Sequence, residues 1–172
     1  MLIEYPYLLR YRLTPTRNWD RQSARLWDVA GGIELVGMIF GFTQIGHFDW
    51  ASELSASLGL GLLVVGIIIR WSAIYTLGKY FTGTVMIKDD HRLVQNGLYR
   101  YLRHPAYAGA LLAHLGLGLS FSNWISLGCS VLPFIFAASY RIRVEERALV
   151  EAFGEAYVNY SRRTRRLIPR VY

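Results

Sequence analysis

Between Ala56 and Leu77 the chain runs for 22 residues with a single charged side chain, Arg70. As a helix this run is roughly 33 Å long, enough to cross the hydrocarbon core of a bilayer. Three more apolar stretches follow the same logic: Val29–Phe48, Tyr107–Phe121 and Trp124–Tyr140. The Tyr107–Phe121 stretch is short for an independent span. With the uncharged SFSN at 120–123 and the stretch after it, it predicts a tight helical hairpin whose turn sits shallow in the far leaflet. Apolar residues make up 53% of the chain and charged ones 18%, too little charge for a small soluble domain. The expected fold class is all-α: a polytopic membrane helical bundle of about four transmembrane helices, forming a single domain over 1–172.

The charges lie between these blocks. The net charge is +7, carried by 17 Arg and 2 Lys. Segments 1–28, 79–103 and 141–172 hold 5, 5 and 8 of them, while 49–54 and 120–123 hold none. By the positive-inside rule the three basic segments, and with them both termini, face the cytoplasm. Arg beside apolar blocks reads as juxtamembrane charge, and no helix-turn-helix or zinc-finger spacing supports a nucleic-acid partner. Residues 1–28 interleave Arg with Tyr and Trp, which suits a segment lying at the headgroup interface. The opening lacks the pattern of a cleaved signal, and with no targeting segment visible a prokaryotic inner membrane is the expected compartment. Cys129 is the only cysteine, so it forms no intrachain disulfide or thiolate cluster and reads as a small packing residue. The tail RRTRRLIPRVY can bind anionic membrane lipids without any chemical role.

Several polar residues interrupt the apolar blocks. Glu34 is costly in lipid unless it reaches water or faces the bundle. Arg70 either snorkels to the near interface or turns inward to an anion. Arg141 and Glu145, four apart, share a helix face if the last apolar helix continues past Tyr140. There Arg141 can hold an anion, and Glu145 can hold an amine or hydroxyls or offset a positive centre. Glu146, one position on, points elsewhere. In RHPAYAG, Pro105 suits the first turn of a helix, and the amides near Ala106 and Tyr107 can receive a carboxylate. Gly109 permits close approach of a ligand or a helix. The preceding HRLV reads as extended, running into a turn at Asn96–Gly97. Leu93 and Val94 offer an apolar wall, and Tyr99 can stack or hydrogen-bond. Metal-ligand spacing, a GxSxG nucleophile, a P-loop and GxGxxG are all absent, so no metal site is expected. Gly154 is a candidate interruption in the amphipathic segment that follows Tyr140.

HRLVQNGLYRYLRHPAYAG, a hydrophobic hairpin, RIRVEERALVEAFGEAYVNY and RRLIP, in that order, resemble the isoprenylcysteine carboxyl methyltransferase family over roughly residues 60–169. The resemblance implies a membrane enzyme that transfers methyl from S-adenosylmethionine held in a cytosolic pocket. It implies cofactor contacts from His91, Arg92, Leu93, Val94, Tyr99, His104, Pro105, Ala106, Tyr107 and Glu145, all within a chemistry-bearing region at 91–172. Arg141 corresponds to an arginine near the substrate carboxylate, which with Glu145 makes the candidate catalytic pair; Arg70 is a further candidate substrate contact. The acceptor is expected to be lipidic or prenylated, a small molecule or a protein, and most readily a carboxylate. The alternatives are S- or N-methylation of a thiol, an amine or a phospholipid headgroup, and, in a different class, a non-catalytic scaffold or transport subunit. The oligomeric state is not legible.

Overall fold

The computed structural model describes residues 21–49, 52–82 and 92–168, with the side chains of 21–23 left aside. His91 and most of the segment 1–28 lie outside the described residues. The described residues form α1 (Arg21–Gly41), α2 (Ser52–Leu77), α3 (Pro105–Ser120), α4 (Trp124–Phe153) and α5 (Glu155–Arg163). Short 3-10 turns occupy Gly78–Tyr80 and Gly97–Arg100. Helix α2 packs chiefly on α3, α1 on α4, and α3 on α4.

Two helices, α2 and α4, are long and apolar enough to cross a membrane. Helix α3 has 16 residues, about 24 Å, and falls short of a full bilayer core. Large apolar side chains stay exposed along α2, among them Leu58, Leu60, Val64 and Ile68. So much uncovered apolar surface fits a lipid-facing helix rather than a soluble one.

Where the sequence predicts a first span over 29–48, the helix begins at Arg21 and ends at Gly41. Thr43 Oγ1 donates to Phe40 O at 2.8 Å and finishes the last turn, and Gly46 takes a positive φ of 81° to bend the chain back. Phe48 is then buried, its amide donating to Ser122 O at 2.9 Å. The hairpin turn at 121–123 forms as expected. Asn123 is fully buried there and caps α4: its Oδ1 accepts from the amides of Ile125 and Ser126. Its Nδ2 donates to Phe40 O and Ile45 O at 3.1 and 2.8 Å, tying the end of α1 to the hairpin.

Close helix contact depends on glycine. A Cβ on Gly109 would come within 2.6 Å of Arg70 N and 2.7 Å of Gly66 O. One on Gly59 would come within 2.5 Å of Ser120 N. Gly66 and Gly116 complete the seam, so α2 and α3 touch backbone to backbone, as small residues allow in lipid. Gly109 therefore admits a neighbouring helix. Cys129 packs on Gly37 of α1, as a small residue should.

Helix α4 runs for 30 residues and passes Tyr140 without a break, despite Pro133. It stops at Gly154, whose φ of 53° favours glycine and lets the chain turn into α5.

Candidate active site at the ends of α2, α3 and α4

His104 is the N-cap of α3 and is buried. Pro105 follows at the first helical position, where its missing amide costs nothing. The amides of Tyr107 and Ala108 both donate to His104 O at 3.1 Å. The expected anion-receiving amide at Tyr107 is thus engaged within the first turn, because the chain tightens there into a 3-10 bond.

On α4, Arg141 is 4% exposed, far from a surface ion pair. Its Nε donates to Glu145 Oε1 at 3.1 Å, and the Tyr107 hydroxyl donates to the same oxygen at 2.6 Å. Glu145 Oε2 lies 3.6 Å from His104 Nδ1. Arg70 turns inward and donates from Nη1 to Ala106 O at 3.3 Å. The side chains of Tyr107, Arg141, Glu145 and His104 therefore converge, with Arg70 on the adjoining turn.

Tyr99 is buried in a cluster with Ala73, Ile74 and Ala106, and Val94 packs against that cluster as the expected apolar wall. Burial, then the negative charge of Glu145, pushes the Tyr99 phenol well above its usual range, with Arg70 opposing. Leu93 is half-buried and Arg92 exposed.

Three features escaped the sequence reading. Glu146, read as pointing elsewhere, is a hub. It accepts from Arg103 Nε at 2.9 Å and from Arg166, whose Nη2 lies 2.8 Å from Oε2, and it stands 3.5 Å from His104 Nε2. Arg103 also donates from Nη1 to the carbonyls of Ser161 and Thr164. Second, the tail, expected only to meet lipid, clasps the turn at 101–104. Arg103 N and His104 N donate to Arg165 O and Arg166 O at 2.7 and 3.1 Å, and Arg165 N donates to Tyr101 O. The Tyr160 hydroxyl adds a 2.7 Å bond to Tyr99 O. Third, Trp27, expected at the headgroups, instead stacks on Tyr107 and meets Phe134 edge-on. Of the two places open to Glu34, it takes the one facing the bundle, where it meets His114 Nδ1 at 2.7 Å.

Burial alone would raise the Glu146 carboxyl. Hydrogen bonds and charge from His104, Arg166 and Arg103 outweigh it and lower it to about 2. A carboxylate held below its ordinary value of about 4.3 stabilises the fold above that pH and loses the contribution as pH falls toward the lower value. The stability difference between the natural protein and Glu146→Gln should therefore be constant above about pH 5 and shrink between about pH 4.5 and 2. Unfolding midpoints measured across that range check it, and a gap independent of pH contradicts it.

Comparisons with known proteins show the family. Residues 59–151, more than half of the chain, match the isoprenylcysteine carboxyl methyltransferase (ICMT) family. Protein-S-isoprenylcysteine O-methyltransferase B of Arabidopsis thaliana is 34% identical over 140 residues, covering 80% of this chain and 68% of that one. The Saccharomyces cerevisiae protein-S-isoprenylcysteine O-methyltransferase is 35% identical over 124 residues, covering 71% and 52%. The solved structure of a eukaryotic intramembrane Ras methyltransferase, ICMT, aligns with 91% of this chain and 55% of its own, at a TM-score of 0.65 and 26% identity. The chain thus spans between about half and two thirds of the length of these relatives. Matched over most of its length in sequence and in fold, the chain belongs to the isoprenylcysteine carboxyl methyltransferase family.

Proposed function

We propose that this chain is a membrane methyltransferase that esterifies the carboxylate of an isoprenylcysteine, with S-adenosylmethionine as donor. The observation that carries this is the convergence of His104, Tyr107, Arg141 and Glu145 at one end of the bundle, in a chain of this family. We read the bundle as four spans, α1 to α4, with the convergent end and both termini on the cytoplasmic side. A prokaryotic inner membrane remains an expectation of the sequence, since the relatives named above are eukaryotic.

The residues fit such a donor. Half-buried at the end of the bundle, a carboxylate stands among a phenol, an imidazole and a guanidinium. That mixture suits a ligand bearing both signs of charge. His104 to Tyr107, Tyr99, Val94 and Glu145 would hold it, with His91, Arg92 and Leu93 from the segment before the turn. When bound, S-adenosylmethionine supplies an electrophilic methyl on a sulfonium. The negative charge of Glu145 favours a cation beside it. Arg141, buried and already fixed by Glu145, presents a pre-oriented positive charge to an acceptor carboxylate, and Arg70 adds a second. A carboxylate is ionised at neutral pH and needs no general base. Alignment of the two reactants is then the main demand, and alignment alone can supply several kcal/mol, up to about 7–11. A prenyl tail would reach the site sideways, between helices.

The test is to incubate the purified protein with labelled S-adenosylmethionine and a panel of prenylcysteine, lipid, amine and thiol acceptors, followed by mass spectrometry. A base-labile methyl ester on prenylcysteine is the expected product. Methylated thiol, amine or headgroup without ester would replace the acceptor assignment, and no product with no donor binding would point to a scaffold. Arg141→Lys should raise the KM for the acceptor more than it weakens donor binding; equal losses count against its role at the carboxylate.

A further inference from the structure

Helix α4 carries a second polar face. At about 100° per residue, Arg143 and Arg147 lie roughly 200° from Glu145, away from the convergent site. There α4, α5, the tail and Arg103 from the turn before α3 border an open cleft of about 480 Å³, lined by four arginines, Glu146, Glu151 and Tyr157 among others. That volume is within the range of small-ligand sites. Four guanidiniums against two carboxylates leave the lining net positive.

Arg103 and Arg166 share Glu146. Arg143 donates its Nε to Ser139 O. Arg147 is exposed and forms no ion pair among the described residues. Tyr157 is an independent sign: it is 3% exposed, and its hydroxyl is buried with no hydrogen-bond partner. Native proteins rarely leave such a group unmatched, which points to a missing acceptor or donor.

Height narrows the ligand. On a 1.5 Å rise, Arg143 and Arg147 stand about 4.5 and 10.5 Å beyond Tyr140, where the apolar part of α4 ends. The headgroup layer of one leaflet is roughly 5–8 Å deep. The Arg143 backbone lies at its inner edge, and Arg147 starts just outside it and reaches back, because helical side chains lean toward the N-terminus. Guanidiniums bind phosphate oxygens in pairs, more specifically than an ammonium does. We propose that this cleft binds the phosphate of a membrane phospholipid, through Arg143, Arg147 and the Tyr157 hydroxyl. The site is separate from the methyl-transfer reading and stands or falls without it.

The experiment uses the whole protein in zwitterionic nanodiscs doped with phosphatidylglycerol, with native mass spectrometry after release to count retained lipid. The natural protein should keep a phosphatidylglycerol molecule. Arg143→Gln with Arg147→Gln should lower its retention about tenfold, and Tyr157→Phe should lower it with unchanged helical content. Arg100→Gln, on the exposed turn Gly97–Arg100 and outside the cleft, should leave it unchanged. Equal loss in that control would reduce the effect to general surface charge and overturn the site. Binding of inorganic phosphate with no lipid retained would assign the cleft to a free anion and overturn the phospholipid.

Discussion

Gly66→Ala and Gly109→Ala should each destabilise the protein by about 2–3 kcal/mol or more, while Gly61→Ala on the same α2 helix should be neutral or mildly stabilising. The difference is one of surroundings. A Cβ at Gly109 would meet the backbone of Arg70 and Gly66, and one at Gly66 the backbone of Ala113 and Gly109. Backbone cannot swing aside as a side chain can, so the helices must separate. A Cβ at Gly61 meets nothing within 4 Å, and alanine is the better helix former by about 1 kcal/mol. Separation would also draw Arg70 away from Ala106 O, so activity should fall alongside stability. Unfolding in mixed micelles with a denaturing detergent measures the three variants side by side. If Gly66→Ala proved as stable as Gly61→Ala, the tight seam would have to be abandoned.

The second large effect concerns the proposed donor. Glu145→Gln should weaken S-adenosylmethionine binding by about 10- to 100-fold, or roughly 1.4–2.8 kcal/mol, and depress turnover at least as much. Glutamine keeps the size of the side chain and an acceptor for the Tyr107 hydroxyl and Arg141 Nε, so the helices should stay in place. What is lost is the negative charge. The demethylated product, S-adenosylhomocysteine, is a neutral thioether at the reacting sulfur. If Glu145 offsets the sulfonium, its neutralisation should hurt the methylated ligand more than the product. Calorimetry with both ligands reads that difference. Equal losses would move Glu145 to the amine or ribose of the donor, and no loss for either would remove it from the site.

Much of this was legible in the sequence because membrane helices leave long, continuous traces. The run at Ala56–Leu77 became α2 with a few more residues at its start. The uninterrupted passage through Tyr140 into Arg141 and Glu145, and the stop at Gly154, followed from helical spacing and one glycine. Other features left no local trace. The polar RQSARLWD opens α1 because Trp27 finds Tyr107 and Phe134 to pack on, which is tertiary information. Glu146 gains its role from Arg103, 43 residues before it, and Arg166, 20 after it. His114 sat unremarked in an apolar run because its partner, Glu34, is 80 residues away. The pairing of 101–104 with 165–166 uses backbone groups, which every residue has and no motif records.

That last pairing gives the molecule an order of assembly. The ribosome delivers α1 to α4 first, and lipid can receive them as they come. The turn that carries His104 has no clasp until Arg165 and Arg166 emerge, well after the helices they serve. A nascent chain would thus place its helices in lipid before the convergent end is clasped, and that end comes into register only once 165 and 166 have been made.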